Sequence, residues 1–175
     1  MKKRYIIWGA IGFVVTSLLG VVLHFLYEWV GEAMWIAPFS GVNESTWEHM
    51  KLLFWPMLLL AIVESFFLID RKDFWCVKLR GISLGLALIP ILFYTYNGVI
   101  GKSPDFVNIA IFFISVAVAY IYETRLFIKK KQICGTDRWA VVCLSIIALL
   151  FIVFTFKTPR LEIFRDGVSG GFGIE

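Results

Sequence analysis

Charge is scarce in this chain. Only 17% of its 175 residues are Asp, Glu, Lys or Arg, against roughly a quarter in an ordinary soluble domain. Histidine occurs twice and cysteine three times. Cys76, Cys134 and Cys143 have no metal-ligand or redox spacing and read as reduced bystanders. No nucleophile elbow surrounds Ser17, Ser65, Ser83, Ser115 or Ser145, and no glycine-rich phosphate loop is present. Repeats of 20–50 residues are also missing. The net charge of +4 comes from basic residues that flank apolar blocks instead of forming one patch, so no nucleic-acid partner is expected.

What fills the chain is apolar. Hydrophobic residues make up 59% and aromatic residues 17% of it, with a mean hydropathy of +0.81. A domain of this length has too much surface to hide that much apolar material from water. The apolar residues also come in blocks near the roughly 20 residues that a helix needs to cross a bilayer. Five blocks qualify, at about 5–30, 46–69, 79–100, 104–124 and 139–156. The expected fold is therefore all-α, one bundle of five transmembrane helices over residues 1–158, followed by a tail at 159–175. The start, Met1-Lys2-Lys3-Arg4 before an apolar run, looks like a signal peptide, but the run is too long and Gly31-Glu32-Ala33 is a poor cleavage site. A retained first helix is expected.

Helix punctuation agrees with these spans. Ser103-Pro104-Asp105 reads as cap, first-turn proline and first-turn acid, and Thr158-Pro159 as a stop. Pro56 and Pro90 predict kinks in helices two and three. Gly81 and Gly85 form a small-xxx-small pair suited to close helix contact. Residues 31–43, with Pro38 and Gly41, are too short to span and are expected in the outer interface or dipping back into it.

Ionisable residues at membrane depth are costly, which makes each a functional candidate. Those at one end gather around SGVNESTWEHMKLLFWPM, residues 40–57. Ser45-Thr46-Trp47-Glu48 has the form of a capping box, in which Glu48 reaches back to the backbone of Ser45. Lys51 is then expected to pair with Glu48 or Glu44 at the surface. Capping does not explain Asn43, Glu44 or His49, nor His24 and Glu28 four apart near the end of helix one. Tyr94, Tyr96 and Asn97 close helix three and Asn108 opens helix four at the same level.

These residues predict an outward-facing polar pocket of His24, Glu28, Asn43, Glu44, His49, Tyr96 and Asn97 that binds or transports a small ligand. Two histidines and a carboxylate suffice for zinc or another divalent cation, with His24, Glu28 and His49 as ligands and Glu44 as base if the protein is a hydrolase. A third alternative is a structural or partner-binding membrane subunit. A transporter this small is expected to form a homo-oligomer or to show inverted repeats, of which none is visible, and a structural subunit is expected to join a membrane partner. Glu64 is expected to pair with Arg71, Lys78 or Arg125.

HFLYEW at 24–29, GVNESTWEHMKLLFWPML at 41–58, FYTYNGVIG at 93–101 and FRDGVSGGFGI at 164–174 resemble a family of small bacterial multi-pass membrane proteins of unknown function. The resemblance covers nearly the whole chain. It departs at Gly41, Asp166-Gly167 and Phe172-Gly173-Ile174, where the family pattern has Pro before V-N-E-S, D-P and Y-G-I. It implies a polytopic protein of the bacterial cytoplasmic membrane and a patterned tail that folds back over the outer face, and it supplies no activity.

Lys and Arg counting orients the helices. With the N-terminus inside, the cytoplasmic side holds Lys2, Lys3, Arg4, Arg71, Lys72, Lys78, Arg80, Arg125, Lys129, Lys130, Lys131 and Arg138. The other side holds Lys51, Lys102, Lys157, Arg160 and Arg165, a ratio of twelve to five. Five crossings then put the C-terminus outside. A topology reporter fused after Glu175 is expected to be active only outside the cytoplasm, and cytoplasmic activity would overturn this orientation.

Overall fold

The computed structural model describes residues 2–68, 72–101, 103–129 and 132–174. Arg71, Lys102, Lys130 and Lys131 of the charge tally, and residue 69 of the second expected span, lie outside them. Five helices run in chain order: α1 (Lys2–Trp29), α2 (Thr46–Phe67), α3 (Phe74–Val99), α4 (Asp105–Lys129) and α5 (Arg138–Phe156). All five are long and apolar enough to cross a membrane. No strand occurs among the described residues; Arg165 and Phe172 form one isolated antiparallel bridge.

Large apolar side chains stay exposed along every helix, among them Leu18, Leu59, Ile91, Ile114 and Leu149. Water would penalise such a surface, whereas lipid tails would not. The interior is a cluster built on Leu53, Phe54, Met57, Ile82, Val116 and Phe151.

Two helices are longer than expected, for one reason. α3 starts at Phe74 instead of 79 and α4 continues to Lys129 instead of 124. Tyr5, Phe74, Val77 and Phe127 pack into a second cluster there, and Lys78, within it, is paired and buried instead of ending the span. Pro56 and Pro90 sit inside α2 and α3, which remain helical on both sides of them. The Gly81 and Gly85 pair has a specific use. A Cβ on Gly85 would meet Leu53 and Ala119 at 3.0–3.2 Å, and one on Gly81 would run into the Glu123 side chain.

The cysteines correct an expectation. Cys76 and Cys134 are bonded to each other across 58 residues of sequence, with their Cα atoms 6.5 Å apart, and Cys143 stays free. The bond ties the start of α3 to the α4–α5 connection. Asp73 and Asp137 reinforce the join by accepting the backbone N–H groups of Ile133 at 2.7 Å and Cys76 at 3.0 Å. No spacing rule signals a pair so far apart. The bridge sits at the end where α1 starts, the end with the basic excess. A persistent disulfide and a cytoplasmic setting pull in opposite directions, and the reporter fusion distinguishes them.

At the other end, the 31–43 segment folds back onto α1 and α2. The Ser40 hydroxyl donates to Leu23 O and accepts the Tyr27 N–H, entering the α1 ladder where the i to i+4 bond would lie. The Gly41 N–H also donates to Leu23 O at 3.1 Å. From α2, Trp55 Nε1 donates to Pro38 O at 2.9 Å. Lys51 is fully buried at 0% exposure, not at the surface, and its Nζ lies 2.6 Å from Glu48 Oε2. The same Nζ donates to Ala37 O at 2.8 Å and to Thr155 Oγ1 of α5 at 3.1 Å. Removing one member of a buried ion pair leaves the other uncompensated. Lys51→Met is expected to destabilise the bundle by about 3–5 kcal/mol, measured as thermal unfolding in detergent. Adding Glu48→Gln is expected to restore part of that loss.

Candidate functional site

The polar residues at the start of α2 are fixed one at a time. Ser45 is the N-cap, and its side chain accepts the Glu48 N–H at 3.3 Å. The return bond differs from the expected capping box: Glu48 Oε2 accepts the Val42 N–H at 3.0 Å. The Ser45 N–H is already taken, at 2.9 Å, by Asn43 Oδ1. Asn43 uses its other end to donate from Nδ2 to Gly173 O of the tail at 2.9 Å.

With the helix start set, His49 falls one turn inside it. His49 Nδ1 lies 2.9 Å from Ser45 O, so this nitrogen carries the proton and Nε2 points away with its lone pair. Glu44 stands immediately before the cap and reaches both histidines, with Oε1 3.3 Å from His24 Nε2 and Oε2 3.6 Å from His49 Nε2. The two rings are 5.8 Å apart. One donor atom from each of His24, Glu44 and His49 lies within 4.8 Å of the other two. The site is open to solvent, with side-chain exposures of 26%, 45% and 20% for His24, Glu44 and His49.

This arrangement holds a chemical demand. With Nδ1–H committed to Ser45 O, a neutral His49 turns a lone pair toward a carboxylate. A bridging water, a proton on Nε2 or a cation can fill the space between them. Both N···O separations exceed the 2.7–3.2 Å of a direct N–H···O bond. Zinc bonds of about 2.0–2.2 Å at a tetrahedral angle separate two ligand atoms by roughly 3.4 Å.

The other expected site residues fall elsewhere. Glu28 is exposed and outside the cluster. Asn97 serves its own corner: it donates to Phe93 O at 2.8 Å and accepts the Ser103 N–H at 2.8 Å, while the Ser103 hydroxyl donates to Asn108 Oδ1 at 2.7 Å. Tyr96 is half-buried on the same α3 end, and its C=O accepts the N–H of Ile100. Neither belongs to the His24–Glu44–His49 group. Glu44 could have been located from its position. It precedes the cap and His49 is the fourth residue of the helix, the two places whose side chains pack together across a helix start.

The tail is anchored beside this site. Phe164 of the 3-10 turn Glu162–Phe164 is buried, with its ring 4.6 Å from Trp47 and 5.6 Å from Phe154. Asp166 then organises a tight turn, accepting the Val168 N–H at 2.9 Å and the Ser169 hydroxyl at 2.7 Å. Burial alone would raise the Asp166 carboxyl, but these donors and the Glu44 backbone N–H outweigh it and hold it below the usual carboxylate range. A cavity of about 650 Å³ lies between the tail and the end of α5, lined by Met34, Thr155, Thr158, Arg160 and Phe172.

The family model of DUF6512, described as a family of unknown function, matches residues 1–174. No curated protein and no solved structure matches the chain.

A carboxyl depressed in the folded state stabilises that state above its ordinary value and loses the contribution as pH falls through the lowered one. Limited proteolysis within residues 165–174 is therefore expected to speed up several-fold in acid. Asp166→Ala is expected to show the faster cleavage already at neutral pH. Equal rates for both proteins at neutral pH would show that Asp166 does not hold the tail.

Proposed function

The chain belongs to the DUF6512 family, and from that premise we propose that it binds or transports a divalent transition metal, zinc by its ligand chemistry, at His24, Glu44 and His49. The small ligand of this multi-pass protein is then the cation itself. The observation that carries the reading is Glu44 set between two imidazole nitrogens at 3.3 and 3.6 Å. The bond from His49 Nδ1 to Ser45 O supports it, because metal-bound histidines characteristically spend the second nitrogen on such a carbonyl. In this reading the site faces outward in a bacterial cytoplasmic membrane, as the basic residues favour.

Hydrolysis is the weaker alternative. A metal-dependent hydrolase needs a base besides its ligands, and Glu44 here joins the ligand set. A second reading, an anionic small molecule, is favoured by the cavity that Arg160, Thr155 and Thr158 line.

Elemental analysis of protein purified with zinc supplied tests the proposal. About one equivalent is expected in the wild type and in Glu28→Gln, with the metal lost in His24→Ala, Glu44→Ala and His49→Ala. Metal-free wild-type protein would overturn the metal reading and leave the cavity as the binding site.

A further inference from the structure

At the opposite end of the bundle, and independently of the metal reading, a second charged group is buried. Lys78 Nζ pairs with Glu123 Oε2 at 2.7 Å and also with Glu64 Oε2. The three residues are only 1–2% exposed. They come from α2, α3 and α4, and Gly81 leaves the space that the Glu123 side chain occupies.

The charges here do not balance. Two carboxylates face one ammonium, which leaves one negative charge in excess. A buried charge without a partner is expensive in a low-dielectric interior. Among the described residues, no second cation offsets it. From α1 comes Tyr5; from α4 come Tyr120, Thr124 and Phe127. The Tyr120 hydroxyl is engaged with Thr16 Oγ1 at 2.8 Å. Lys78 Nζ is 5.5–5.8 Å from the rings of Phe74, Tyr120 and Phe127, contacts that favour the ammonium but not a second anion. Asp73 and Asp137, at the start of α3 and before α5, accept backbone N–H groups of Ile133 and Cys76.

The hydrogen bonds are incomplete on the same two groups. Glu64 Oε1 and Glu123 Oε1 are buried and have no hydrogen-bond partner among the described residues. Both residues line a cavity of about 10 Å³, close to the minimum for one water. Excess charge, orphan acceptors and a water-sized space therefore coincide.

We propose that Glu64, Lys78 and Glu123 form a proton-binding site in which the two carboxylates share one exchangeable proton opposite the single ammonium. The proton brings the group to neutrality and turns one orphan acceptor into a donor. On release an Oε1–H bond breaks, its electron pair stays on the carboxylate, and the proton leaves on a water. A proton fits where a hydrated metal cation does not.

Infrared difference spectroscopy on the full chain in lipid vesicles tests this. The wild type is expected to give one protonated-carboxyl C=O band at neutral pH that disappears in alkali and shifts in heavy water. Exchanging sodium for choline at constant ionic strength should leave the titration unchanged. Glu64→Gln and Glu123→Gln each leave one carboxylate against one ammonium, so each should lose the band. Survival of the band in either variant would overturn the shared proton, as would replacement of the pH response by a sodium response. Absence of the band from the wild type at every pH would do the same without relying on a variant that folds.

Discussion

The end of the bundle that carries the histidines depends on one ammonium group. Lys51 Nζ bonds Glu48 beside it on α2, the Ala37 carbonyl of the folded-back segment and the Thr155 hydroxyl of α5. An ammonium has three N–H donors, and all three are used. Glu48 in turn holds the Val42 N–H. A single buried pair thus joins the start of α2, the segment before it and the last helix. Cut off from water, such a pair persists because the charges cancel and each N–H of the ammonium finds an acceptor. The consequence is positional: with residues 37–42 tied down, Glu44 has little choice but to stand over the first turn of α2, where the histidines are.

Much of the bundle was legible in the sequence because lipid imposes a coarse rule. A chain that must satisfy its backbone inside hydrocarbon forms long helices, and their lengths follow from the apolar blocks. The misreadings at Lys78 and Lys51 share a cause. Lys51 reads as a surface charge and Lys78 as the limit of a span, yet each is buried against glutamates that reach it from other turns or other helices, and of these the Glu64–Lys78 pair is the one the sequence anticipates. Hydropathy scores one residue at a time and does not register a partner 45 positions away.

The site was half legible for a related reason. His24 and Glu28 share a helix face by spacing, so an i, i+4 argument pairs them. Spacing fixes azimuth, however, and not height. Glu28 lies a turn further along, about 5–6 Å nearer the helix end, and there it is exposed. Glu44 reaches the correct height from another element, because Asn43 and Ser45 fold the chain into a turn before the cap. Asn43 also donates to Gly173 O, a contact between positions 130 residues apart that no local pattern contains.

Three charged groups can now be compared by one criterion, whether their donors, acceptors and charges close on themselves. The Glu48–Lys51 pair closes: its charges cancel, the ammonium has three acceptors, and Glu48 holds a further backbone N–H. Such a group has nothing left to offer a ligand, and its role is to hold elements together. Among the described residues the Glu64–Lys78–Glu123 group fails to close by one positive charge, with two acceptors left over. The His24–Glu44–His49 group also leaves a side open, since the His49 Nδ1 proton is committed to Ser45 O and the ring turns its other nitrogen toward a carboxylate. Both unclosed groups have room for a small cation, and their settings differ in which one they suit. A water-sized cavity inside the bundle suits a proton, and an open cluster of two imidazoles and a carboxylate suits a transition metal. The two groups sit at opposite ends of the same five helices, so a chain that is 59% hydrophobic gathers one unclosed polar group toward each end of the bundle.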